Sequence, residues 1–253
     1  MDQETRPSVH GKGVNAYTQA AALALAETLW PSRCAVCGRL GAVLCDGCRN
    51  ALGYVDLWLA CPRCGAPWGL NQCTECCALS LEETGYDRLP FQGCVCAVRF
   101  DDASASIVRL HKDGGERRLA GEMALAMACA IPPEWLEAAV VTYVPATNAA
   151  RRRRGFDHGQ AIGQALGRVL GLPCMALLEA PRSHDQRELS RQERFKDLSG
   201  AFSPTRKALS AAPSRAILAD DVMTTGATMC AAARTLRRAG VGSVRAVGFA
   251  RVY

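Results

Sequence analysis

The cysteine spacing of residues 34–77 constrains the fold more than any other feature of this sequence. Nine of the fourteen cysteines lie in that stretch. They form two similar modules, CAVCGRLGAVLCDGC at 34–48 and CPRCGAPWGLNQCTEC at 61–76. A CxxC turn brings two thiolates to one ion, and two such turns complete the tetrahedral set that structural zinc requires. The modules therefore predict two structural Zn²⁺ ions.

Eight cysteines are the predicted zinc ligands: Cys34, Cys37, Cys45, Cys48, Cys61, Cys64, Cys73 and Cys76. The spacing leaves open whether adjacent or alternating pairs hold each ion, and Cys77, Cys94 or Cys96 could substitute. Disulfides or redox-active pairs are the alternative. Metal is favoured because the segment has few large apolar side chains, and each structural zinc supplies folding free energy on the order of 10 kcal/mol. Four thiolates leave no open position for catalysis.

A second motif, AILADDVMTTGAT at 216–228, joins a strand to a helix. The apolar run 216–219 predicts a buried strand, and the sequence from 228 predicts a helix that ends at Gly240. Backbone N–H groups at a helix N-terminus bind phosphate, and a glycine allows close approach. The two aspartates would repel phosphate but suit sugar hydroxyls or a cation. The motif predicts a sugar-phosphate site, and a helix cap with an ordinary turn is the alternative.

Beyond residue 90 the pattern alternates strands and helices, which predicts an α/β domain with a mostly parallel sheet. The predicted strands are 94–100, 139–145, 173–178, 216–219 and 243–253, and the predicted helices are 103–112, 116–130, 158–170 and one from 228. Ligands bind at the carboxyl ends of such strands. Both 220–228 and the loop after 139–145 fall there. That loop carries Arg151 to Arg154, an anion site or a solvated charge run.

The N-terminal residues predict a polar disordered tail and then an amphipathic helix that ends at Pro31. The alanine-rich run 20–26 loosely resembles a signal peptide, but an exported chain with these cysteines would need a disulfide framework. We therefore expect a cytoplasmic protein without a membrane span. The net charge of +6 permits a polyanionic partner without requiring one.

Three segments together resemble the ComF/GntX group of phosphoribosyltransferase-like proteins, which are associated with DNA uptake in natural competence. ILADDVMTTGAT looks like the phosphoribosyl pyrophosphate (PRPP) loop of type I phosphoribosyltransferases. RRRRGFDH at 151–158 is similar to the group's R-R-x-R-G-F-[ND]-[QH]. The segment 186–202 is similar to its Q-x-x-L…G-A-F pattern, with Asp197 where Asn is usual. Ala146 and Thr147 depart from the group's usual V-P-[VLM]-[HP].

The resemblance implies a type I phosphoribosyltransferase fold over 91–253, after a tail and helix at 1–33 and a double zinc ribbon at 34–90. Asp220 and Asp221 would bind the ribose hydroxyls of PRPP. A cradle would hold its 5′-phosphate, formed by Met223, Thr224, Thr225, Gly226, Ala227 and Thr228. Arg151 and Arg154 would contact the pyrophosphate, which Mg²⁺ would accompany. Gln186 and Arg194 would belong to a flexible loop.

Two functional interpretations follow from the resemblance. In the first, the chain is a phosphoribosyltransferase that releases pyrophosphate to an unidentified acceptor, although the sequence does not establish turnover. In the second, the same fold is a non-catalytic scaffold or binds single-stranded DNA by its phosphates. Competence helicase or processing proteins would be partners in either case. Aromatic residues are only 6% of the chain, which favours PRPP over stacking-based strand binding.

Overall fold

The computed structural model describes residues 31–82, 84–181, 195, 198 and 200–252. It divides the chain into two compact units, with the boundary between Asn50 and Ala51. The division predicted from the sequence, at 1–33, 34–90 and 91–253, stays a prediction. The predicted N-terminal helix lies outside the described residues.

The first unit contains the first cysteine module. A bridge between Arg33 and Leu40 closes a tight turn, and of the second CxxC pair, Cys45 directly precedes helix α1 (Asp46–Asn50) and Cys48 lies in it. Gly38 has a φ of +72°, a left-handed conformation that favours glycine. This turn folds the backbone so that the N–H of Gly38 donates to the carbonyl of Cys34 at 2.9 Å.

The second unit is built on a four-stranded parallel sheet in the order β1-β4-β3-β2. The strands are β1 (Cys94–Arg99), β2 (Ala139–Tyr143), β3 (Arg215–Met223) and β4 (Ser243–Arg251). The two central strands, β3 and β4, are mostly apolar and are buried along most of their length. A parallel sheet with helices on its faces requires such continuous apolar strands. The predicted α/β class is confirmed.

The described residues contain seven further helices after α1. In chain order they are α2 (Ala78–Glu82), α3 (Asp102–Lys112), α4 (Leu119–Ala130), α5 (Asn148–Arg154), α6 (His158–Leu170), α7 (Arg206–Ser210) and α8 (Ala227–Arg238). A 3₁₀ turn spans Pro133–Trp135. Their ends follow local chemistry. Asp101 and Ser104 form a capping box at α3, and Gly171 ends α6 with a φ of +67°.

Three expectations about individual elements were wrong. The segment 173–178 is not a strand, because it bonds to Val141 of β2 at only one bridge and then turns to pair with residues 203–205. The stretch 148–154 is helical rather than a loop, because the Thr147 side chain caps it and Gly155 ends it at φ +73°. Strand β3 runs to Met223, so the two aspartates lie inside the strand and not after it.

Candidate functional site

The acidic pair lies where β3 extends beyond its neighbour. The last residue pair between β2 and β3 is Tyr143 with Ala219, whereas β3 stays paired with β4 as far as Met223. Asp220 and Asp221 therefore occupy the carboxyl end of the sheet, the edge at which parallel sheets bind ligands. Both are buried, with exposed fractions of 8% and 3%.

The two carboxyl groups have opposite protonation preferences. Burial, and then the neighbouring charge of Asp221, raise the pKa of Asp220 to about 8. Burial also opposes ionisation of Asp221, but Lys112, His158 and the hydrogen bonds to its carboxylate together outweigh burial and hold the pKa of Asp221 below its usual value. Two carboxylates this close cannot both ionise freely. The pair therefore carries one negative charge at neutral pH, on Asp221, while Asp220 keeps its proton.

Asp221 is held by two side chains from different helices. Lys112, the last residue of α3, places its Nζ 2.7 Å from Oδ2 of Asp221. His158, the first residue of α6, places its Nε2 3.5 Å from the same oxygen. Burial works against the charge of Lys112, yet Asp221 outweighs it and raises the pKa of Lys112. Burial lowers the pKa of His158 to about 4, so this imidazole is neutral at physiological pH.

The tautomer of His158 follows from its other contact. Arg154 Nη1 lies 3.2 Å from Nδ1 of His158, and a guanidinium can only donate. Nδ1 is therefore the acceptor, and the single proton of the neutral ring is on Nε2, facing Asp221. Arg154 also donates from Nε to Asp113 at 3.0 Å. A polar chain runs from Asp113 through Arg154 and His158 toward Asp221, and its last step is a 3.5 Å contact without a hydrogen bond.

The predicted phosphate cradle forms the turn between β3 and α8. Gly226 is the N-cap of α8, with a φ of +80° that favours glycine, and it has no side chain of its own to cap the helix. The hydroxyl of Thr225 accepts from the N–H of Ala227 at 3.4 Å. A methyl group at Gly226 would lie 3.0 Å from Cε of Met223, the end of a flexible side chain. Thr224 is exposed, and Thr225 and Thr228 are half-buried. The N-terminus of this 12-residue helix concentrates positive potential at the turn.

The four arginines of α5 have different environments. Arg154 is 12% exposed and faces Asp113 and His158, whereas Arg151 is half-exposed. Arg151 lines a groove of about 700 Å³ together with Arg117, Arg152 and Phe156. It also lines a groove of about 630 Å³ beside the carboxyl end of β2. Neither groove is lined by residues of the cradle. The structure thus brings Arg154, but not Arg151, into the polar chain around the acidic pair.

Asp157 fixes the backbone after β2. Its side chain caps α6 by accepting from the N–H of Gln160 at 3.1 Å. The same carboxylate accepts from the N–H of Ala146 at 3.2 Å. The turn at Ala146 and Thr147, where the sequence departs from the group's pattern, is therefore tied to the α5–α6 junction.

Each cysteine module brings four thiols together. Within each set, all four Sγ atoms lie within 4.8 Å of one another. The closest pairs are Cys37 with Cys45 at 3.8 Å, Cys61 with Cys76 at 3.6 Å and Cys64 with Cys73 at 3.5 Å. A tetrahedral zinc with Zn–S bonds of about 2.3 Å has S–S edges of about 3.8 Å, whereas a disulfide needs about 2.05 Å. Both sets fit a structural zinc ion, with all four sulfurs of one module around it.

Within the part of the chain that the structure describes, only these two modules gather three or more side chains of metal-ligand type. Gln186 and Arg194, predicted for the flexible loop, lie outside the described residues. Over the residues that the structure describes, no helix is long and apolar enough to span a bilayer.

Sequence reasoning missed the partners of the acidic pair. Lys112 and Asp113 end a helix that lies far from β3 in sequence, and no local pattern marks them. His158 belongs to the quoted RRRRGFDH stretch but received no role there. Arg251, the last residue of β4, was also missed: it is 2% exposed and its Nη1 donates to the carbonyls of Met223 and Thr224. An arginine at the end of an apolar strand was the one available signal.

The fold and site together define an α/β protein with a parallel sheet, an acidic pair beside a strand-to-helix turn, and two Cys₄ modules suited to structural zinc. No protein-family model matches the chain. The chain is similar to "Competence protein F" of Haemophilus influenzae, with 25% identity over 217 residues that cover 82% of this chain and 90% of the relative. This homologue and the two Cys₄ modules confirm the predicted ComF-like resemblance.

Proposed function

We propose that this chain binds PRPP or a related ribose phosphate at the carboxyl end of β3. The observation that carries the proposal is the adjacency of two complementary features on one strand–turn–helix unit. The N-terminus of α8, whose N-cap is a glycine, attracts an anion, and the acidic pair just before it offers oxygens to hydroxyl groups. A sugar phosphate satisfies both, whereas a nucleotide-binding P-loop would require a lysine that this turn lacks.

The two halves of the site divide the ligand between them. The N–H groups and threonine hydroxyls of the cradle, residues 223–228, hold the 5′-phosphate. Asp221, ionised through Lys112, accepts a hydrogen bond from one ribose hydroxyl. Asp220, protonated at neutral pH, can donate as well as accept, so the pair can hold two vicinal hydroxyls. The Nε2 of His158 lies 3.5 Å from the carboxylate of Asp221.

Pyrophosphate is the leaving group if the chain is a transferase. Arg151, half-exposed beside the end of β2, is available to its oxygens, and Arg154 positions His158. Mg²⁺, arriving with PRPP, would neutralise the leaving pyrophosphate. Since Asp221 is engaged by Lys112 and Asp220 is protonated, these carboxyl groups suit hydroxyls better than a bare metal ion. The acceptor nucleophile is open.

The similarity to a competence protein supports a role in the uptake or processing of DNA. Single-stranded DNA, and the helicase or processing proteins that act on it, are the expected partners. A second candidate function is direct binding of single-stranded DNA in the 700 Å³ groove. Arg117, Arg151 and Arg152 line it for phosphates, and Phe156 offers an aromatic ring, although the guanidinium of Arg117 lies 4.7 Å from that ring's centroid.

Calorimetric titration of the zinc-loaded protein with PRPP and Mg²⁺ tests the proposal. The disrupting variant is Asp220→Ala, which removes both the donor and the acceptor. The matched control is Asp220→Asn, which has the shape of the protonated carboxyl, donates and accepts as it does, and keeps an acceptor for the N–H of Asp221, 2.9 Å from Oδ1 of Asp220 in the parent. We expect binding by the parent and by Asp220→Asn, and at least about tenfold weaker binding by Asp220→Ala. A folded parent that binds no sugar phosphate would exclude the proposed site. Binding of a single-stranded oligonucleotide that Arg151→Ala and Arg152→Ala weaken would then support the second candidate.

A further inference from the structure

Arg251 contacts the backbone of the cradle from the buried side. Its guanidinium is buried at the last residue of β4, directly paired in register with Met223. Nη1 donates to the carbonyl of Met223 at 3.1 Å, to the carbonyl of Thr224 and to that of Val252 at 2.6 Å. One side chain thus holds two consecutive carbonyl groups of the turn that is predicted to bind phosphate.

The planarity of the peptide bond converts these contacts into an orientation of the cradle. The carbonyl of one residue and the N–H of the next lie in one plane and point in opposite directions. Holding the carbonyls of Met223 and Thr224 toward Arg251 therefore directs the N–H groups of Thr224 and Thr225 to the opposite side. The buried positive charge beneath the turn adds to the attraction for an anion on that side.

The second cysteine module holds Arg251 in turn. Nη2 of Arg251 lies 3.5 Å from Oε2 of Glu75, which stands between the predicted zinc ligands Cys73 and Cys76. The module also packs against the start of β1, because a methyl group at Gly65 would lie 3.2 Å from the carbonyl and the Sγ of Cys94. Cys94 Sγ contacts Sδ of Met223 at 3.5 Å.

We propose that Glu75 and Arg251 are positioning residues that couple the second Cys₄ module to the cradle. When four thiolates of this module hold a metal ion, the backbone at Glu75 is fixed between two ligands. Glu75 then fixes Arg251, and Arg251 fixes the carbonyls that set the direction of the cradle N–H groups. This inference rests on the proposed function of the cradle as a phosphate site, but its structural part can be tested without a ligand.

The test uses the zinc-loaded full chain and the variant Glu75→Gln, which removes the charge and keeps all eight predicted ligands. Glu82→Gln is the matched control, because Glu82 is an exposed carboxylate of α2 in the same segment. Hydrogen exchange followed by mass spectrometry measures the protection of 223–228 and of the central strands. Calorimetry measures the affinity for ribose 5-phosphate.

We expect Glu75→Gln to retain the parent's zinc content, to exchange about threefold faster at 223–228 and to bind ribose 5-phosphate about threefold more weakly, with β3 and β4 protected as before. Cys64→Ser should speed exchange at 223–228 more strongly, and Glu82→Gln should match the parent. Exchange at 223–228 that is unchanged in Glu75→Gln would overturn the coupling. If the parent binds no sugar phosphate, the proposed function fails, and the exchange measurement still decides whether the module orients the turn.

Discussion

Replacing Asp220 by Asn should stabilise the fold at alkaline pH. Burial and the neighbouring charge raise the pKa of Asp220 from its ordinary value of 3.8 to about 8. The folded chain therefore keeps a proton that the unfolded chain has already released. The stability that such a carboxyl group contributes is fully present at pH values below its pKa in the unfolded chain. This contribution is lost as the pH rises through its pKa in the folded chain. Asparagine mimics the protonated group at every pH and removes the decline.

The magnitude follows from the occupancy of the proton. With a pKa of about 8, the folded group is about nine-tenths protonated at pH 7 and about one-tenth at pH 9. Since one pH unit of full proton linkage is about 1.36 kcal/mol, the parent loses about 1.4 kcal/mol over these two units through Asp220 alone. Asp221 and His158 have pKa values well below this window, so they hardly contribute to the change.

Urea unfolding of the parent and of Asp220→Asn at pH 7 and pH 9 measures this effect. The contributions of other groups cancel when the two proteins are compared at each pH. We expect the stability of Asp220→Asn relative to the parent to increase by about 1 kcal/mol from pH 7 to pH 9. A difference between the two proteins that is the same at both pH values would refute the assigned proton. Asp221→Asn is the contrasting variant: it leaves Lys112 without its counter-ion and should cost about 3 kcal/mol at both pH values.

Three further predictions concern the elements that hold the site. Native mass spectrometry should find two zinc ions per parent chain and one in Cys64→Ser; two ions in that variant would contradict the assigned ligands. Gly159→Ala should destabilise the fold by about 3 kcal/mol or more, because its methyl group would overlap the carbonyl oxygen of Val144. Its control, Gly155→Ala, places the methyl group in open space and should cost about 1 kcal/mol for the positive φ. Equal urea midpoints for the two variants would count against the packing of α6 on β2. Lys112→Met should cost about 2 kcal/mol at pH 7.5, since Lys112 is partly exposed, and less at pH 5, where Asp221 can take up a proton; a cost that does not depend on pH would argue against the ion pair.

Local chemistry made much of the fold predictable. The apolar runs at β2, β3 and β4 and the helical pattern of 158–170 are short-range signals, and the elements formed around them, with β3 extending as far as Met223. The four-cysteine spacing likewise depends on turns of a few residues, and the sulfurs gather as expected. The segment 173–178 misled because its apolar composition does not reveal that its hydrogen bonds are divided between two partners.

The environment of the acidic pair could not be predicted from the sequence. Lys112 reaches Asp221 across more than one hundred residues, and only the packing of α3 beside the carboxyl end of β3 brings them together. The same is true of Glu75 and Arg251. The arginine run illustrates the difference between composition and placement. Four consecutive arginines predict one anion site. In the structure, however, α5 places Arg154 against His158, largely buried, and leaves the other three arginines more exposed.

The most direct test of the central claim is a crystal structure of the zinc-loaded protein with PRPP and Mg²⁺ at saturating concentration. The account predicts the 5′-phosphate within hydrogen-bond distance of the backbone N–H groups of the cradle, and ribose hydroxyls on Asp220 and Asp221. A ligand bound only in the arginine-lined groove at Arg151, with the cradle empty, would contradict it.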